Sequence, residues 1–521
     1  MSDFFKNNIL TASQSGNKRW QLFNCSSVYV LYFQWVMAIS IVLKILLAFF
    51  LELSNDEAYY RLYAMFSDYS HYDHPPMLGW MLQIFTLDTV LDNGFALRIL
   101  PIFLGTCNLL ISFKIGQYLH STRAGFLASF LVAISPYLSL ISGAMLLPDA
   151  PLMFFWLLAI YWALKAFFPK ENKLNHHYLL LVGLAIGGGI LSKYTAAFLW
   201  VGIGIYILLF NRKTLKTWQL YVSILITILC CLPILWWNVE HDFVSFRFHS
   251  GRVGLFDNFE IIDFCKEILG EFIYNNPLIY IVIFVVLVKN ILYRKQIAHS
   301  PIHLLYCIGF PIVIIFWLFS FSHSLLPHWN SPGFSTLLFT VAIFLAENLQ
   351  NGRKKLYKCF QICAFVVVAL LVIIVFQAKT DFLSLKKHGI QDFTIELTTW
   401  KATGEHFTKI AQNAQKQGIM PINSPIVALR WFPAANLDLY VAKPSNRKVL
   451  TIGDITQTHK YEQITTIRGS LPPNTKTWFI TDDYDFFAPE NYFSQTQLYQ
   501  TFTIYRHSKP AKKVYCYIVT I

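Results

Sequence analysis

The sequence predicts an α-helical polytopic membrane protein with a small C-terminal α/β domain, and three observations predict it. Of the 521 residues, 55% are hydrophobic and only 14% are charged, where a soluble domain carries roughly 25% charged residues. Apolar runs close to the roughly 20 residues needed to cross a bilayer recur along the first three quarters of the chain. After residue 378 the runs shorten, polar residues dominate, and strand-like and helix-like patterns alternate.

Eleven apolar segments are expected to span, near 28–51, 95–118, 124–141, 150–168, 178–192, 195–210, 220–237, 272–292, 303–322, 333–347 and 359–377. The short fifth and sixth read equally well as one element broken around Ser192-Lys193-Tyr194. Residues 1–25 are polar and rich in Asn, Ser and Lys, and read as a flexible cytoplasmic tail. They lack the short apolar core of a signal peptide, so the first span itself is expected to direct insertion. The formal charge of +13 comes mostly from short clusters between apolar runs, "NRKTLK", "YRK" and "GRKKLYK". Such clusters orient a membrane protein with its basic loops inside. They place the N-terminus in the cytoplasm of a multi-pass plasma-membrane protein, with no nucleic acid as partner. The nine cysteines show no CxxC pair, and neither a disulfide framework nor a zinc site is expected.

With the N-terminus inside, the opposite face collects the chemistry. It receives the first extracytoplasmic loop, 52–94, with "NDEAYY" and "YDHPPM". It also receives "SGAMLLPDAP", "SKYT", "NVEHDFVSFRFHSGR", "HSLLPHWNSP" and everything after 378. A membrane module, 26–378, is thus expected to carry an extracytoplasmic domain, 379–521. In that domain 400–418 reads as an amphipathic helix closed by Gly418. "PIVALRW", "KVLTIGD", "TWFITDD" and "KVYCYIVTI" read as strands, and "AANLDLYVAKP" as a further helix.

Asp56 and Glu57 stand where the first span ends. Adjacent residues of a turn or helix point in different directions, so the two acids can hold different partners. The aromatic loop that follows suits a segment lying on the membrane surface. A carboxylate roofed by it loses water, and its raised pKa makes it a proton acceptor. Asp73-His74-Pro75-Pro76 lies in the same loop. The prolines hold His74 extended and can start a helix. Asp149 opens the fourth span, where an acid also serves as a helix cap. Lys193 sits between two apolar runs, a placement costing about 2.5–3.5 kcal/mol at a helix centre unless the side chain snorkels. A buried cation there would also suit an anionic lipid phosphate. Arg247 and Arg252 offer further phosphate partners. His328-Trp329 stands at another break, where interfacial anchors also occur. "GGGI" at 187–190 reads as close helix packing. No nucleotide-binding glycine loop, zinc motif or serine-nucleophile elbow is present.

"DEAYY…YDHPPM", "LPDAPLMFFWLLAIYWAL", "LSKYTA" and "PHWNSPG" together resemble the polytopic glycosyltransferases of the GT-C class. The likeness is to the branch with the protein O-mannosyltransferases and the bacterial aminoarabinose transferases of lipid A, and it covers residues 28–340. It implies a GT-C fold and transfer of a sugar, with inversion, from a polyprenyl (undecaprenyl) phosphate carrier. The acceptor would be lipopolysaccharide or lipid A, another glycan, or a protein. It implies Asp56 as the catalytic carboxylate and Glu57 as its supporting neighbour. Asp149 would be a second acid of the cavity, and Lys193 the cation facing the departing phosphate, with Asp73, His74 and His328 as further substrate-binding positions. In the aminoarabinose transferases a lysine precedes the Pro-Pro pair; here it is His74, which when neutral is a weaker phosphate ligand. The lipid-linked donor is already activated, so no cofactor is expected. The acids near a phosphate could hold a divalent ion, but no dedicated ligand set is seen. The alternative is a polytopic transporter or flippase of a lipid-linked substrate. Carriers, however, usually show internal repeats and midplane sites, neither of which is evident.

Overall fold

The computed structural model describes residues 28–170, 176–251, 260–292 and 300–521. The proposed tail 1–25, Arg252 and the basic cluster at 293–295 lie outside the described residues.

Each of the eleven expected segments falls on helix. Val28–Phe50 forms α1. The loop after it folds into the short helices Asn55–Tyr60 (α2), Leu62–Met65 (α3) and Met77–Phe85 (α4). There follow Gly94–Leu119 (α5), Thr122–Ile134 (α6), Asp149–Phe167 (α7), Tyr178–Ser192 (α8), Phe198–Phe210 (α9) and Trp218–Glu240 (α10). Val244–Ser250 (α11), Ile261–Tyr274 (α12), Pro277–Leu292 (α13), Pro301–Ser320 (α14), Ser331–Gln350 (α15) and Lys355–Thr380 (α16) complete the helical module. Seven of these, α1, α5, α7, α10, α14, α15 and α16, are long and apolar enough to cross a membrane singly. The expected span at 272–292 is instead two helices, α12 and α13, meeting at 103°. α12 is amphipathic: Ile262 and Leu269 are exposed while Glu267 and Glu271 are buried.

The "GGGI" stretch packs closely, as its composition predicts. A Cβ on Gly187 would stand 2.6 Å from the Cys230 Cβ of α10, and one on Gly188 would stand 2.6 Å from the Phe155 ring of α7. Small residues let helix backbones approach where lipid supplies no hydrophobic drive between them. Gly309 and Gly333 bring α14 against α15 in the same way.

After α16 the chain builds a small sheet domain. Ile426–Ala428 (β1), Val449–Thr451 (β2), Lys476–Asp482 (β3), Gln495–Arg506 (β4) and Lys509–Thr520 (β5) form one sheet in the order β2-β1-β3-β5-β4. β1 pairs in parallel with β2 and β3, and β5 runs antiparallel to β3 and β4. The amphipathic helix Trp400–Lys416 (α17) covers one face of the sheet, setting Phe407 edge-on against Trp478. Gly418 takes φ +71° just after the helix, where a residue without a Cβ is favoured. Trp431–Asn436 (α18) continues into a wider turn, Leu437–Ala442, and Ile455–Thr458 (α19) and Tyr461–Arg468 (α20) lie between β2 and β3.

The sheet domain sits on the loop between α1 and α5. Tyr440 accepts a hydrogen bond from the Leu53 amide (2.8 Å), and Glu52 accepts from the Trp400 amide (2.8 Å). Asp92 is shared by Arg61 of the loop and Lys443 of the domain. One apolar cluster runs from Tyr59, Tyr63 and Leu97 into Phe407, Ile426 and Trp478, so loop and domain share a core.

Candidate functional site

α2 presents three consecutive polar residues, and the two outer ones are pinned. Asn55 donates to Glu396 Oε2 (2.8 Å) and also bonds Asn436 of α18. Glu57 is fully buried. It receives Arg98 Nε at 2.7 Å and Arg98 Nη2 at 2.6 Å, the Ser54 amide at 3.0 Å and the Leu146 amide at 3.1 Å. With Ser54 it also closes a capping box that fixes where α2 begins. Burial alone would raise the Glu57 pKa, but the Arg98 charge and these hydrogen bonds outweigh it and hold the group below the usual carboxylate range. Glu57 therefore ties the loop after α1, helix α5 and the loop before α7 together, and its carboxylate is fully engaged by those contacts.

Between these two anchors Asp56 makes no hydrogen bond or ion pair among the described residues, and its side chain is accessible to solvent. It reaches solvent from within a recess: loss of water is the main reason its pKa rises from 3.8 to about 6. The charges of Glu57, Asp73, Glu396 and Asp149 push it the same way, in that order. A carboxylate so placed is ionised at neutral pH yet basic enough to take a proton.

Asp149, whose charge reaches Asp56, pairs with Lys193. Lys193 Nζ lies 3.0 and 2.9 Å from the two carboxylate oxygens of Asp149, and Tyr137 donates to Asp149 Oδ1 at 2.9 Å. All three side chains are buried. Asp149 opens α7, but its side chain is spent on the ion pair and not on a cap. Lys193 does not snorkel; the break between α8 and the turn Tyr194–Ala197 points it inward. His328 responds to both partners. Burial, then the Lys193 charge, lowers its pKa to about 4, against an opposing pull from Asp149. It is neutral at physiological pH, and its ring lies 5.8 Å from that of Tyr274.

Asp73 and His74 belong to the loop wall. Asp73 accepts from Tyr59 (2.8 Å) and Tyr63 (2.6 Å), which project from the turns following Asp56. The Asp73 carbonyl bonds His249 of α11 at 3.0 Å, and the His74 ring lies 6.2 Å from that of His249. α4 begins one residue beyond the prolines, at Met77. Arg247 is exposed on α11. The structure thus gathers Asp56, Asp73, Asp149, Lys193 and His328 into one electrostatic neighbourhood, while Glu57 stands behind it.

Sequence reasoning missed several contributors. Arg98 is an arginine inside an apolar helix, a signal that was available, but its partner is 41 positions away. Lys460, in the sheet domain, is buried and places Nζ 2.6 Å from His71 Nδ1. Burial lowers the Lys460 pKa to about 8 against the pull of Asp68 and Asp73. Burial, then the charges of Lys460 and His74, keeps His71 neutral. The neighbouring His459 stacks on Trp431 at 5.5 Å. Among the described residues, no three His, Cys, Asp or Glu side chains converge as a metal site would require.

Residues 73–237 match the family described as dolichyl-phosphate-mannose-protein mannosyltransferase. A lipid A galacturonosyltransferase, RgtD of Rhizobium johnstonii, is 26% identical over 193 residues. That match covers 37% of this chain and 40% of the relative's own length. The structure aligns with ArnT from Cupriavidus metallidurans bound to undecaprenyl phosphate at a TM-score of 0.57, with 14% identity, covering 94% of this chain and 98% of that one. The apo form of that ArnT gives a TM-score of 0.56 at 13% identity over the same shares. The chain has the GT-C fold, as the resemblance implied, and its segment from Asp73 to Trp237 carries the family's sequence signature.

Proposed function

We propose that this integral-membrane protein is a glycosyltransferase that moves a sugar from a polyprenyl phosphate to a lipid A-type acceptor at the extracytoplasmic face. The observation that carries this reading is the free carboxylate of Asp56, held between two pinned neighbours and within electrostatic reach of the Asp149–Lys193 pair. The acceptor hydroxyl attacks the anomeric carbon as its proton passes to Asp56. The bond from that carbon to the phosphate oxygen breaks on the far side, and the electron pair leaves with the phosphate. One displacement inverts the configuration.

Lys193 supplies positive charge to the departing phosphate. Preorganised charge at a developing anion costs no reorganisation at the moment of reaction, and Asp149 holds the ammonium in place until the donor arrives. His74 and the exposed Arg247 line the rim where the phosphate enters. Neutral His328 offers a hydrogen bond without adding charge. Glu57 positions Asp56, and Asp73 sets the tyrosines of the loop. Two similarities support the substrates: the lipid A galacturonosyltransferase relative and the undecaprenyl phosphate bound to the aligned ArnT. The extracytoplasmic orientation rests on the basic loops of the opposite face.

The test uses purified protein in nanodiscs with a panel of polyprenyl-phosphate sugars and a lipid A extract. Release of free polyprenyl phosphate is followed. One donor should be consumed, and only when acceptor is present. If no donor is consumed while a lipid-linked substrate crosses a liposome bilayer, the protein is a transporter.

A further inference from the structure

Lys44 lies in the last third of the apolar helix α1 and is used by nothing described so far. It stands six residues before the end of the helix at Phe50, about 9 Å below it at 1.5 Å per residue. The residue is 4% exposed, and among the described residues its ammonium has no hydrogen bond or ion pair. The fold makes room for that group: a Cβ on Gly105 of α5 would come within 2.8 Å of Lys44 Nζ, and one on Gly143 within 2.9 Å. A cation without a partner at this depth is costly, and charged groups inside a membrane mark sites where something pairs with them.

Lys44 lines a cavity of about 290 Å³ between α1, α6 and α16, together with Ser40 one turn below it and Ser139. A second cavity of about 310 Å³ lies between α1 and α16 and reaches Phe50 and Lys379 at their upper ends. The two share Leu43, Leu47 and Leu371, so they form one groove. Its walls are otherwise aliphatic and aromatic. An apolar channel with one unpaired ammonium and two hydroxyl groups partway along it, a lysine at its mouth and purely apolar lining from Val36 and Ile39 to Phe365 deeper in, matches a hydrocarbon chain that carries an anionic group.

We infer that the α1–α16 groove is a binding site for a phosphate-bearing membrane lipid, whose chain fills the groove and whose phosphate pairs with Lys44. This site is separate from the Asp149–Lys193 pair and does not depend on the transfer reaction, so its test reads binding and not turnover.

The probes are dioleoyl phosphatidic acid, dioleoylglycerol and inorganic phosphate, measured by native mass spectrometry and thermal unfolding of the detergent-purified chain. The wild type should bind phosphatidic acid at least ten-fold more tightly than dioleoylglycerol, and inorganic phosphate should give no protection. Lys44→Met should abolish the preference and Lys44→Arg should keep it. Without lipid, Lys44→Met should melt no lower than wild type, because it removes a buried unpaired charge. Leu371→Trp, which narrows the groove where the cavities join, should weaken phosphatidic acid binding with Lys44 intact. Equal binding of the two dioleoyl lipids by the wild type, or a preference unchanged in Lys44→Met, would overturn the inference.

Discussion

Replacing Asp56 by Asn removes one proton acceptor and almost no volume. A positioned general base contributes about 10²- to 10⁴-fold to rate, so turnover should fall by that factor, about 2.7–5.4 kcal/mol at 1.36 kcal/mol per decade. The wild-type pH profile follows from the raised pKa of about 6. On the proposed mechanism the active form is ionised, so activity should be lost as pH falls through that value. About 90% of Asp56 is ionised one unit above it and about 10% one unit below, which predicts a near ten-fold rise in rate between pH 5 and pH 7. The sign for stability is opposite. A carboxylate whose folded pKa lies above its unfolded value opposes folding once ionised. Asp56→Asn should therefore be no less stable than wild type at pH 8, with donor binding retained. The assay is single-turnover release of polyprenyl phosphate across pH 5–8, paired with thermal unfolding. A variant within three-fold of wild type, or a flat wild-type profile, would refute the reasoning.

Other expectations concern what surrounds that carboxylate. Arg98→Ala strands the buried Glu57 charge and should cost about 3–5 kcal/mol, read as a lower melting temperature; Glu57→Gln, which keeps hydrogen-bonding atoms, should cost less. Lys193→Met should destabilise by about 3–5 kcal/mol for the same reason. Adding Asp149→Asn should recover part of that loss in thermal unfolding without restoring turnover, because only the ion pair and not the phosphate partner has been made redundant. Gly404→Ala should loosen the sheet domain, since its Cβ would stand 1.8 Å from the Tyr440 carbonyl oxygen. Overpacking of this kind costs about 1–3 kcal/mol, and limited proteolysis beyond α16 should detect it.

Much of this was legible in the residues. Length and hydropathy located the apolar segments, because a lipid-facing helix has to be apolar over its whole length. The helix 400–416 and four of the five strands followed from periodicity and turn residues. β4 did not: "QTQLYQTFTIYR" is an edge strand, polar on its exposed side, and lacks the continuous apolar run of its neighbour β5. α12 was missed because an amphipathic helix that carries Asp263, Lys266, Glu267 and Glu271 is too polar to read as a span. At the site, the sequence displayed the acids but not their partners. Asp56 and Glu57 look alike on paper. Only the placement of Arg98, and of the Leu146 amide 89 positions away, separates the free carboxylate from the buried one. Lys193 read as an unpaired cation until the fold set it against Asp149. Lys460 reaches its partner across 389 positions, a separation no local pattern reports.

On the proposed mechanism Asp56 serves as a base in one displacement and not as a nucleophile in two. The anomeric configuration of the product, read by NMR against that of the donor consumed, tests it most directly. Inversion is the expected result. Retention would require a covalent sugar intermediate and would contradict it.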